Sequence, residues 1–106
     1  MNSRHVHQFM RERFPAFDSA AMTWTNVADV DSPRVGEIEA LLSEHIGRTD
    51  AVVEVNRRLG ALAPFGQAAS FIASHIGEGQ IRATNRESSG FVVVAVNGTA
   101  CGWHAR

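Results

Sequence analysis

The residues best equipped for chemistry in this 106-residue chain are five histidines, one cysteine and ten arginines, with no lysine. Cys101 and His104 enclose Gly102-Trp103, a spacing that serves thiolate–imidazole pairs or metal ligation in some settings. On a straight strand, residues three apart face opposite ways, so this pair meets only across a bulge, and Cys101 reads as a small core residue. His5 and His7, two apart, point to different sides of a helix and do not chelate one ion there. His45 and His75 each close an apolar helical stripe. Converging helix ends would let these two imidazoles share a ligand or a proton, although a core histidine bonded to a backbone carbonyl is the commoner arrangement.

The motifs of cofactor enzymes are absent from the sequence. Gly77-Glu78-Gly79-Gln80 precedes a strand and is no phosphate cradle, and neither a Gly-x-Ser-x-Gly elbow nor a His-Glu-x-x-His helix occurs. The expectation is therefore no catalytic residue, no metal and no cofactor. A single cysteine excludes a disulfide or a Cys-pair metal site within one chain and points to a reducing, cytoplasmic compartment. Neither a secretory leader nor an apolar run long enough to span a bilayer is legible, so no membrane partner is expected.

Composition describes one ordinary domain, 44% hydrophobic and 20% charged, with a net charge of −1. The charge is uneven. Seven acids between Asp29 and Glu54 face only Arg34 and Arg48, whereas five arginines from Val55 onward face Glu78 and Glu87. The arginine content reads chiefly as a bias of composition toward Arg, Ala, Gly and Val.

Around these residues the periodicity predicts helices through the first two-thirds of the chain, about residues 3–77. Ser3 is positioned to cap an amphipathic helix with Val6, Phe9, Met10 and Phe14 on one face, stopped by Pro15. Residues 17–31 suit a short helix or an alternating strand. Ser32-Pro33 opens a helix striped by Val35, Ile38, Leu41, Leu42, His45 and Ile46, closed by Gly47. Thr49 or Asp50 then caps a helix carrying Val52, Val55, Leu59 and Leu62, although 51–55 alone would pass for a strand. A last helix runs from Phe65 to Ile76 and ends at Gly77. The repeated His-Ile-Gly suits any helix C-terminus; its other reading is a duplicated helix-then-strand unit.

The remaining stretch, about residues 80–104, reads as a three-stranded antiparallel meander. A two-residue Asn97-Gly98 turn pairs Val96 with Thr99, Val94 with Cys101 and Val92 with Trp103. The preceding loop pairs Thr84 with Val93 and Ile81 with Val96. Alternation then puts Ile81, Ala83, Val92, Val94, Val96, Cys101 and Trp103 on a face covered by helices, with Arg82, Thr84, Arg86, Phe91, Val93, Ala95, Ala100, Gly102 and His104 on an open one.

The resulting expectation is an α+β domain with all its helices on one face of a C-terminal meander. Its function is read as protein interaction or regulation without catalysis, through the open sheet face or an edge, with a protein partner or a second copy. Arg82, Arg86, Phe91, Val93 and His104 are the expected partner-binding residues. Two alternatives stand beside this reading. One is nucleic-acid binding of winged-helix-like or sheet-platform type, and the other is a small enzyme with a histidine-based site.

Overall fold

The computed structural model describes residues 1–29 and 32–105, so the end of the 17–31 segment falls outside the described residues. Among the described residues, three α-helices, α1 (Ser3–Arg13), α2 (Val35–His45) and α3 (Phe65–Ala73), and a short 3-10 turn (Ser19–Ala21) are interleaved with six strands. The strands are β1 (Thr25–Asn26), β2 (Ala51–Asn56), β3 (Leu59–Ala63), β4 (Ile81–Thr84), β5 (Gly90–Val94) and β6 (Thr99–His104). They form one antiparallel sheet in the order β1-β6-β5-β4-β2-β3. The class is α+β as expected, but the C-terminal three-stranded meander is overturned: half of the strands come from residues expected to be helical or left undecided.

The largest correction lies at residues 51–63. Arg57-Arg58 belongs to the turn of a β2–β3 hairpin and not to a helix. The Asn56 side-chain oxygen accepts the N–H groups of Arg58 (2.9 Å) and Leu59 (3.1 Å), which closes the turn locally. Val55 is the extra residue of a bulge between the Glu54–Gly60 and Asn56–Leu59 pairs. Smaller corrections concern helix starts. Asn2, not Ser3, caps α1 by accepting the His5 N–H (2.9 Å), and α2 begins after Pro33, which bridges to Ala28.

The sheet is covered on both faces, not one. α2 and α3 lie over Ala51, Val53, Val55, Ile81, Ala83, Val92, Val94 and Ala100, together forming the main core. On the opposite face α1 buries Val6 and Met10 against Val52, with Phe9, Phe14 and Leu62 at the margin. The face expected to be open is closed by this helix: Phe91 is 4% exposed and Val93 is fully buried.

The β5–β6 register is also one residue away from the expected one. Ala95 N–H donates to Thr99 O (2.7 Å), so the loop is the three residues Val96, Asn97 and Gly98, with Gly98 left-handed at φ +87°. Val94 then pairs with Ala100, Val93 with Cys101, Val92 with Gly102 and Phe91 with Trp103. A slip of one exchanges faces, so Cys101 and Trp103 join the α1 side while Ala100, Gly102 and His104 turn toward α2. The β4–β5 register moves by two, with Thr84 opposite Phe91 and Ile81 opposite Val94, and a shift of two leaves the faces as expected.

Small residues let α2 end directly on the sheet. A Cβ at Gly90 would collide with the His45 carbonyl, and one at Gly102 with the His45 ring. The buried Asn85 completes the joint, donating to Ile46 O (3.0 Å) and Ser89 Oγ (2.7 Å) and accepting from Ser89 N–H (2.9 Å). Gly90→Ala should therefore cost about 3 kcal/mol or more, because the colliding atom is backbone and the helix itself must move. Gly36→Ala, in the first turn of α2 with open space around it, should gain roughly 0.5 kcal/mol. Urea unfolding of the two variants beside the parent protein reads both numbers.

Candidate functional site

Two places on this scaffold combine unusual chemistry with access. The first is the outer edge of β6. The pairs Ala95–Thr99 and Ser89–Ala105 are both hydrogen-bonded (2.7 and 2.9 Å), which fixes the alternation along the strand. Cys101 and Trp103 direct their N–H and C=O groups toward β5, whereas Ala100, Gly102 and His104 direct theirs outward. β1 takes those of Ala100 through its pairing with Thr25 and ends there. Among the described residues, no strand faces Gly102 and His104.

Beside this edge lies an aromatic cluster on the α1 face. Phe14 meets Phe91 (centroids 5.2 Å, planes at 75°) and Trp103 (5.8 Å, 79°) edge to face, and Phe17 leans on Trp103 at 5.1 Å. A cleft of about 510 Å³ opens between Arg13, Phe17, Met22, Phe91, Trp103 and His104. On the other face the His45 and His104 rings lie 5.1 Å apart with their planes tilted by 50°. Burial holds the His45 imidazole below its ordinary value of 6.5; nearby Glu44 pulls it back up and His104 pushes it further down. Its Nδ1 is buried without a partner among the described residues, which a neutral ring tolerates better than a charged one.

The opposite edge of the sheet is treated differently. The outward N–H and C=O of Gly60 on β3 are both taken by the Ser3 hydroxyl at 3.2 Å, so the first turn of α1 covers that stretch.

The second place is a buried carboxylate under α1. Glu54 points to the α1 face of β2, where its side chain is 5% exposed. One oxygen receives an Arg82 guanidinium N–H from β4 and the other lies 2.7 Å from His7 Nδ1 on α1. A carboxylate only accepts, so Nδ1 carries the proton and Nε2 is the free ring nitrogen. Arg82 also covers the Phe14 ring at 5.4 Å.

Of the five expected partner-binding residues, Arg82, Phe91 and Val93 share the face beneath α1, with Arg82 directly opposite Val93, while Arg86 and His104 lie apart from them. Arg82 is committed to Glu54, Phe91 and Val93 are core, and Arg86 is exposed with its carbonyl accepting from Arg13 (3.3 Å). Only His104 stands on the free edge. Nor do the two stripe histidines form one site: His45 packs on His104, while His75 Nδ1 lies 2.8 Å from Glu78. Cys101 is buried and its thiol is pushed up by that burial, on the opposite face from His104. Sequence reasoning missed the Glu54 cluster because it placed Glu54 on a helix, where no alternation could show a lone acid among inward-facing valines. Among the described residues, no three His, Cys, Asp or Glu side chains are placed to hold a metal ion, and no helix is long and apolar enough to cross a membrane.

The Glu54 cluster has an asymmetric expectation. Arg82→Met leaves a buried carboxylate with only His7 beside it and should cost about 3 kcal/mol. Glu54→Gln leaves a partly exposed arginine free to turn to water and should cost less, about 1–2 kcal/mol. Equal losses in chemical denaturation would argue that the carboxylate is not the desolvated partner. At the other place, the depressed His45 stabilises the fold when neutral, above the ordinary value of 6.5, and that contribution is lost as pH falls below it. His45→Gln should flatten the fall in melting temperature on acidification through this range. Comparison with protein-family models, curated proteins and solved structures finds no match to this chain, so the functional reading rests on this geometry.

Proposed function

We propose that the protein is a non-enzymatic interaction module that works by adding a strand to the outer edge of β6. The observation that carries this reading is the pair of outward-facing backbone groups at Gly102 and His104, beyond the end of β1 and beside the Trp103 cleft. An extended segment laid on such an edge gains main-chain hydrogen bonds, and alternate side chains supply specificity. No charged residue, proline or bulge guards β6, the devices that usually blunt an exposed edge.

The strand that this edge suits is β6 of a second copy. A twofold axis passing at Trp103 sets Gly102 opposite the second copy's His104, and His104 opposite its Gly102. Both residues that offer free groups are then used, and neither chain's Ala100, already bonded to β1, is asked to pair again. Shifting the register to put Gly102 opposite itself would place His104 against the occupied Ala100. The two Trp103 side chains fall directly opposite each other on the α1 face, a close non-hydrogen-bonded pairing that favours aromatic contact. We take the compartment to be cytoplasmic, supported by the lone thiol.

The decisive variant is His104→Pro. It removes one outward N–H that β5 does not use, and proline is tolerated where that N–H faces away from the sheet. Sedimentation equilibrium should show self-association in the parent protein and its loss in this variant, with the melting temperature at low concentration almost unchanged. Hydrogen exchange adds a positional readout: the Gly102 and His104 amides should gain protection as concentration rises, whereas Trp103, bonded to β5 in either state, should not change. A chain that stays monomeric, or that associates with Gly102 and His104 exchanging freely, would overturn the proposal.

A further inference from the structure

The outer side of α1 carries a second surface that owes nothing to the β6 edge. Arg4, His7 and Arg11 stand at intervals of three and four residues, so they form one stripe along the helix. They border a depression of about 460 Å³. His7 is also part of the neighbouring depression, about 370 Å³, into which Glu54, Arg57 and Arg82 extend. His7 thus lines both arginine-bearing hollows.

Three features separate this arrangement from a solvated basic helix. Glu54 orients the His7 ring through Nδ1 (2.7 Å), and a ring so held is already aimed before any ligand arrives. The carboxylate's other oxygen is occupied by Arg82, which leaves Glu54 unavailable to neutralise the arginines outside. Among the described residues, no carboxylate lies within 4.0 Å of the guanidinium groups of Arg4, Arg11 or Arg57. The acid that shares the first hollow, Glu12, accepts from Gln8 (3.1 Å).

We propose that His7, Arg4, Arg11 and Arg57 form a binding site for a phosphate monoester, with Glu54 as the positioning residue for His7. A tetrahedral dianion offers acceptor oxygens in several directions, which matches donors arriving from α1 on one side and from the β2–β3 turn on the other. Guanidinium forks suit such oxygens, and His7 Nε2 supplies a single directional donor when it is protonated. The two hollows share one imidazole, a geometry that suits one phosphate group in place of a continuous track for a polymer backbone.

The test is a titration followed by NMR of the histidine ring nitrogens, at constant ionic strength, with inorganic phosphate and O-phosphoserine as probes and chloride and acetate as controls. Saturable shifts of His7, with His45, His75 and His104 unmoved, are expected for both phosphates. Affinity should fall at least tenfold in Arg4→Ala/Arg11→Ala and in Arg57→Ala, all exposed positions whose loss leaves the melting temperature in place. Glu54→Gln should weaken phosphate binding while the arginine variants retain the His7–Glu54 bond, which a purely structural tie between α1 and β2 would not produce. Shifts that are linear, equal with acetate, or unchanged in the arginine variants would overturn the site. So would tight binding of a single-stranded oligonucleotide without a terminal phosphate in place of the monoesters. Neither His104→Pro nor the oligomeric state enters these readouts, so the two proposals fail separately.

Discussion

The hydrogen bond from Ala95 N–H to Thr99 O is short in sequence and long in consequence. By closing a three-residue loop with Gly98 left-handed, it sets the alternation of the whole of β6 relative to β5. Because of that parity Gly102, and not Trp103, lies beneath α2, and a helix ending in His45 can come down onto bare backbone at Gly90 and Gly102. The same parity sends Trp103 to the other face, where Phe14 and Phe17 close over it and hold the chain after α1 against the sheet. It also decides which backbone groups are left outward at the edge. The packing of α2, the aromatic cluster and the available hydrogen bonds of β6 are three results of one turn.

Glu54 presents a different constraint. A carboxylate buried among valines is costly, and what offsets that cost comes from two other elements, Arg82 on β4 and His7 on α1. This makes α1 more than an apolar cover. Its helix has one turn over Gly60, where Ser3 occupies an otherwise open sheet edge, and the next turn over Glu54. Val6 between them touches the bare Gly60, where an added Cβ would lie 2.6 Å from Val6 Cγ1. The helix is therefore registered on the sheet by polar groups at fixed points as well as by burial of Val6 and Met10.

Much of the local structure was legible, and the long-range arrangement was not. The stripes of α1 and α3, the left-handed glycines Gly47 and Gly77, and the faces of Ile81, Ala83, Val92 and Val94 follow from periodicity and turn chemistry. Residues 51–63 read as a helix because Val52, Val55, Leu59 and Leu62 satisfy a helical spacing, while the hairpin they form depends on Asn56 capping its own turn. The His-Ile-Gly repeat held a usable signal for this: α2 leads into the β2–β3 hairpin and α3 into β4–β5, and β2 lies beside β4. Asn97-Gly98 correctly announced a hairpin and left its loop length open, since a left-handed glycine suits both two- and three-residue loops. The small residues Gly90, Ala100 and Gly102 fall on one face only in the register with the longer loop. Which sheet face α1 covers has no local signature at all, because an amphipathic helix states that it must be buried and not where.

Three of the expected partner-binding residues, Arg82, Phe91 and Val93, lie beneath α1 for the same reason: the helix covers the face on which alternation places them. Once α1 covers the sheet, a side chain on that face is either core, as Phe91 and Val93 are, or committed inward, as Arg82 is. On this side of the sheet, among the described residues, accessible depressions lie at the sheet's rim and along the exposed flank of the covering helix. These two regions are joined by contacts running from His7 through Glu54 and Arg82 to Phe14 and Trp103. Contiguity by itself does not make them act together, because coupling requires an element with two arrangements that both sites bias. An aromatic cluster held in one register supplies none, so the proposed occupancy of the α1 surface and the proposed pairing at β6 stand as independent proposals on one scaffold.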